Sequence, residues 1–117
     1  MIKYVDPVAP IIQFLTPFYS ERIYGNTIPS NSTLPAILIR NAGGTDYTRI
    51  QVLVRGRSDI EAMYLCIDVM NTLMIHGGSI NLRGAWVQME TSPIASIDQD
   101  TNRPEAWGYM RLDHIEM

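Results

Sequence analysis

The chain has 117 residues, enough for one domain with one core. Its net charge is −3, from 12 acidic and 9 basic residues, which argues against a broad nucleic-acid footprint. Cys66 is the only cysteine, so no internal disulfide can form.

The N-terminus reads MIKYVDPV, without the apolar core of a secretory signal. No apolar run approaches the roughly 20 residues of a membrane span. A soluble, cytoplasmic protein without membrane contact is expected, and the sequon Asn31-Ser32-Thr33 is then accidental. Charged residues make up 18%, against a typical figure of about 25%. Eight of the nine basic residues are Arg, beside seven Met, six Tyr and two Trp. Protein interfaces favour these types and disfavour Lys and Glu. Drift in a short chain would give the same bias.

Asp6-Pro7 opens a first helix, with Asp as N-cap and Pro at the first helical position. Val8, Ile11, Ile12 and Leu15 follow at helical spacing, and Pro17 ends it. Residues 20–24 read as a short strand, and a turn-rich stretch leads to the buried-type strand Leu34 to Arg40. Asn41 to Asp46, with Gly43 and Gly44, supplies a turn into Tyr47 to Arg55. There Ile50, Val52 and Val54 alternate with Arg49, Gln51 and Arg55, so the two strands predict an antiparallel hairpin.

Ser58 and Glu61 form a capping box for a second helix, and His76-Gly77-Gly78 ends it, with glycine as a left-handed cap and His76 as a C-cap donor. Stepping 100° per residue leaves a polar strip at Glu61, Asp68 and Thr72. The apolar arc then spans roughly 200°, about twice that of an ordinary surface helix. A sheet covers only one side of such a helix. The first helix or a neighbouring subunit must cover the other. Ala85 to Glu90 reads as a strand, then a long loop holding Pro93 and Pro104, then a last strand near Ala106 to Ile115. The predicted fold is α+β, a mostly antiparallel sheet with two helices packed on one face.

Few residues suggest chemistry. His76 and His114 are the only histidines, and Cys66 falls mid-helix on the apolar arc, where a small core residue is the ordinary role. No phosphate-binding glycine motif is present. Asp98-Gln99-Asp100-Thr101-Asn102 starts like an EF-hand loop, but Arg103 and Tyr109 stand where the loop requires Gly and Glu. A solvated turn is the expectation. Arg55-Gly56-Arg57 suits either a phosphate or charge pairing with another subunit. Trp86 and Trp107 are expected in the core. No catalytic residue, metal or cofactor is predicted.

The strand Arg49 to Gly56 running into the capped helix Ser58 to Ile75, then Trp86-Val87-Gln88-Met89, the loop Asp98 to Arg103 and a last strand carrying Trp107, resembles the tail terminator or tail completion proteins of long-tailed bacteriophages. The resemblance covers roughly residues 5–115. It implies a structural, non-enzymatic virion protein at the head-proximal end of the tail. Members form a ring, usually a hexamer, that ends tail-tube polymerisation and presents a docking surface to the head. The implied partners are further copies of the chain, the tail tube protein and the head completion or connector protein, with DNA only passing through the ring. Arg40, Asp46, Tyr47, Arg49, Arg55 and Arg57 are the candidate subunit-interface residues. Two alternatives stay open: another head-tail joining or neck component, and a small-ligand-binding subunit of ferredoxin-like type.

Overall fold

The computed structural model describes residues 5–44 and 46–114. Two helices and six strands build one mostly antiparallel α+β sheet layer, with both helices on one face.

Helix α1 is Val8–Leu15. Asp6 Oδ1 accepts the Val8 N–H at 3.2 Å, the capping role expected of it, while Pro7 already has helical dihedrals. Val8, Ile11 and Leu15 are buried, and a 3₁₀ turn over Thr16–Phe18 contains Pro17 and ends the helix. Strand β1 is Arg22–Gly25 and β2 is Ala36–Asn41. They pair in parallel, with Ile23 beside Ile37, a relation the local sequence does not suggest. β2 and β3 (Thr48–Arg55) form the expected antiparallel hairpin. In the turn between them Gly43 has φ 84° and Gly44 φ 128°, dihedrals that favour glycine.

Helix α2, Asp59–His76, lies over β3 and the sheet's far strands, while α1 lies over β1 and β2. Ser58 Oγ accepts the Glu61 N–H at 3.1 Å, as the capping box requires. Glu61 reaches back one residue further than expected, to the N–H of Arg57 at 2.9 Å. Tyr19 joins the two helices' territories: its O–H donates to Asp68 Oδ1 at 2.5 Å, and Thr72 Oγ1 lies 2.8 Å away. Burial, then the bond to Asp68, pushes this phenol well above its ordinary range.

Two expectations about the helix end are corrected. Gly77 is not a left-handed cap: its φ is −57°, and the chain continues into a 3₁₀ turn over Gly77–Ser79. Glycine is needed there because Val87 packs against it, and an added Cβ would stand 2.8 Å from Val87 Cγ2. His76 stacks on Phe18, ring centroids 5.6 Å apart, which is a packing role rather than that of a capping donor.

The stretch expected as one long loop also contains a strand. β4 (Trp86–Met89) and β5 (Ile94–Ile97) follow one another along the same edge of β6 (Pro104–Asp113), both antiparallel to it. Between them the Glu90 and Thr91 N–H groups both donate to the Tyr109 carbonyl, at 2.9 and 3.1 Å. Thr91 Oγ1 in turn accepts the Tyr109 N–H at 2.9 Å, a bulge that lets one edge resume after Pro93. β6 starts two residues before the expected Ala106 and ends at Asp113; the expected terminus at Ile115 lies outside the described residues. The sheet order is β1-β2-β3-β6-β4, with β5 also beside β6. Ile37, Ile39, Ile50, Val52, Val54, Met110 and Leu112 meet Ala62, Cys66, Val69, Met70 and Leu73 of α2 in the core.

Candidate assembly surface

Three of the charged interface candidates are engaged with their own chain through ion pairs. Arg55 Nε donates to Glu105 Oε2 at 3.0 Å, and its Nη2 lies 3.4 Å from Asp98 Oδ1. Arg57 forks onto Glu61, with Nη2 2.6 Å from Oε2 and Nε 3.2 Å from Oε1. Arg49 Nε stands 2.7 Å from Glu90 Oε1, a charge contact rather than an aligned hydrogen bond. Tyr47 O–H donates to Glu90 Oε2 at 2.8 Å, and the Arg111 guanidinium sits 4.2 Å from the centre of the Tyr47 ring. Arg40 donates to the Asn26 carbonyl and to Gln51 Oε1. Asp46 is exposed beside the turn. The face of the sheet away from the helices therefore carries Arg49, Arg55 and Arg111 already partnered within the fold, Arg111 by Asp113 of its own strand. Partnered charges at partly exposed sites give little further attraction to a second subunit.

The Asp98 loop is the turn of the β5–β6 hairpin. Asp98 Oδ2 accepts from both the Thr101 N–H (2.8 Å) and its hydroxyl (2.6 Å), and Asn102 takes a left-handed φ of 58°. These bonds from Thr101 hold the Asp98 carboxyl below the usual range. Among the described residues no group of three His, Cys, Asp or Glu side chains could hold a metal ion. No helix of the described residues is long and apolar enough to cross a membrane.

Unpartnered apolar surface lies elsewhere, on α2. Ala62, Cys66, Val69, Met70 and Leu73 face the sheet. On the opposite side Ile60, Tyr64, Ile67, Asn71, Met74 and Ile75 recur at helical spacing and form one solvent-facing stripe. Ile60 is 65%, Tyr64 71% and Ile75 74% exposed. The stripe runs about 20 Å along the helix axis. At its N-terminal end Asp59, Ile60, Met63 and Tyr64 share with Ala95 of β5 a shallow groove of about 250 Å³. Ile97 of β5 is exposed on the same side of the sheet, and Ile94 is exposed on the other. Trp86 is 58% exposed, so the expectation that it is a core residue is corrected: it sits on an edge strand, on the face no helix covers. Trp107 is half-buried, edge-on to Tyr109 at 5.5 Å.

The breadth of the apolar arc was legible from residue spacing. The exposure of Ile94, Ile97 and Trp86 was not, because it depends on which strands become edges. No known protein-family model matches the chain, and no curated protein matches it significantly.

Proposed function

We propose that this chain is a structural assembly subunit of a phage tail, similar to the tail terminators, which closes into a ring that stops tube growth and docks the head. The exposed apolar stripe from Ile60 to Ile75 on α2 carries the reading. Large apolar side chains exposed together on a small chain, here interrupted by Asn71 alone along the stripe, mark a contact with another protein. The α+β order that supports the resemblance is present, with the hairpin feeding the long helix, then the Trp86 strand, the Asp98 turn and the last strand carrying Trp107. A head-to-tail contact between identical chains closes into a ring when the rotation permits.

The test is to remove the chain from a tailed phage that encodes it and to image the particles. Tails of irregular length that fail to join heads are expected. Tails of normal length joined to full heads overturn the reading. Tyr64→Glu places a charge in the N-terminal half of the stripe and is expected to give the same particle defect without changing the thermal melt of the isolated chain.

A further inference from the structure

Among the described residues, strand β5 forms hydrogen bonds on one side only, to β6. The phase of that ladder follows from the turn. The Asp98 N–H donates to the Arg103 carbonyl at 2.9 Å, so Ser96 and Ile94 also point their backbone groups at β6. Ala95 and Ile97 point theirs at the open edge. The strand carries no charged residue and no proline, and Ile97 is 58% exposed. Such an edge is a template for another strand.

At the opposite end of the sheet β1 is also four residues long and, among the described residues, is bonded only to β2. The Asn26 N–H donates to the Ile39 carbonyl at 3.0 Å, so Tyr24 and Arg22 share that phase and face β2. Ile23 and Gly25 then turn their N–H groups outward. β1 runs parallel to β2, and three antiparallel steps through β3 and β6 leave β5 running opposite to β1. A rotation about an axis along the strands preserves direction. It brings the β1 of a neighbouring copy to β5 antiparallel, the more stable way to pair.

We infer that the open β5 edge takes the β1 strand of a second copy of this chain, antiparallel, with Ala95 opposite Gly25, Ser96 opposite Tyr24, Ile97 opposite Ile23 and Asp98 opposite Arg22. This register satisfies three independent conditions. The outward-pointing backbone groups of Ala95 and Ile97 meet those of Gly25 and Ile23, the Gly25 carbonyl with its second lone pair because the Thr27 N–H already donates to it at 2.9 Å. Side chains keep their faces: Ala95 and Ile97 share the helix side with Ile23, while Ser96 and Asp98 share the other side with Tyr24 and Arg22. The third condition is charge. Arg22 is exposed, and among the described residues no ion pair engages it. The Asp98 carboxylate accepts from Thr101 and from the Asp100 backbone, and Arg55 approaches its Oδ1 no nearer than 3.4 Å, which leaves room for a second cation. A slip of two residues keeps faces and phase. One way it sets Arg22 opposite Ser96 and Glu21 opposite Ile97, with neither charge directly matched. The other way it carries Arg22 past the end of β5 to Asp100 in the turn. Because the two edges differ, the contact is head-to-tail and repeats from copy to copy. The closure of that array into a ring rests on the function proposed above; the strand pairing does not.

Cysteines at the proposed cross-strand positions test it. Within one chain Ile23 and Ile97 lie on opposite edges, four strand spacings or about 19 Å apart, too far for a disulfide. Cys66 is buried and stays out of the reaction. Under mild oxidation I23C/I97C is expected to give a covalent series of multimers, and each single variant none. Dimers from I97C alone would mean that β5 pairs with its own copy, and a missing series would mean no β5–β1 contact; either overturns the inference. Ala95→Pro removes an outward N–H without touching the ladder to β6, and Ile97→Lys adds a charge at the same edge. Each is expected to abolish assembly while the far-ultraviolet spectrum and melt are kept. Arg22→Glu is expected to raise the subunit dissociation constant about fivefold, the scale of one surface ion pair. Assembly that survives both edge variants sinks the strand pairing and leaves the tail reading standing. A covalent series in a phage whose tails are normal without the chain does the reverse.

Discussion

Arg55 and Glu105 stand directly opposite one another on β3 and β6, with Nε 3.0 Å from Oε2, and only about a tenth of either side chain reaches solvent. A pair this enclosed is tied to the fold, because removing one partner leaves the other charge buried without compensation. Arg55→Ala is expected to destabilise the chain by about 3 kcal/mol in denaturant melts. Arg55→Ala with Glu105→Gln should recover at least half of the loss, since the more enclosed charge is then gone and only Asp98, the longer contact at 3.4 Å, has lost its cation. A double variant as unstable as the single one would show that the guanidinium matters through packing alone.

The start of α2 is held by Ser58 and Glu61 together. Ser58→Ala is expected to cost about 1 kcal/mol, the usual effect of a lost N-cap. Glu61 adds a pH dependence. The Arg57 side chain, then its backbone N–H, holds the Glu61 carboxyl below its ordinary value. A depressed folded pKa stabilises fully above the unfolded value, about 4.3, and the contribution is lost as pH falls through the folded one. Below about pH 4.5 the wild type should therefore lose stability more steeply than Glu61→Gln. Parallel acid arms for the two proteins would count against the assignment.

Gly77→Ala separates two explanations of a glycine at the end of a helix. Its φ of −57° is open to alanine, and helix propensity alone would make alanine stabilising. The Cβ would nonetheless stand 2.8 Å from Val87 Cγ2, and overpacking of this kind costs about 1–3 kcal/mol. Most of the loss should vanish in Gly77→Ala/Val87→Ala, compared with Val87→Ala alone. Additive costs in that cycle would point to backbone strain instead.

Cys66 packs beneath the sheet, with Sγ 3.8 Å from the Val52 carbonyl oxygen. Burial pushes its thiol up to about 12. At pH 8 the thiolate is then scarce as well as enclosed, so a thiol reagent should react only through unfolding. Alkylation in native buffer as fast as in denaturant would show that the α2–sheet packing opens readily.

What the sequence determined by itself is the part encoded between near neighbours. The capping residues at Ser58 and Glu61 set the start of α2, and the alternation from Arg49 to Arg55 set the face of β3 that meets it. Cys66 fell on the buried side because helical spacing assigns faces without reference to the rest of the fold. The tertiary structure alone decided which strands are neighbours. It placed β1 parallel to β2, set β4 and β5 on one edge of β6 across a bulge, and gave Arg49 and Arg55 partners far along the chain. It also made Ile97 and Trp86 edge residues, exposed where composition suggests core. Strand order depends on contacts between residues far apart in the chain, and a four-residue run such as Ile94 to Ile97 has no periodicity long enough to announce them.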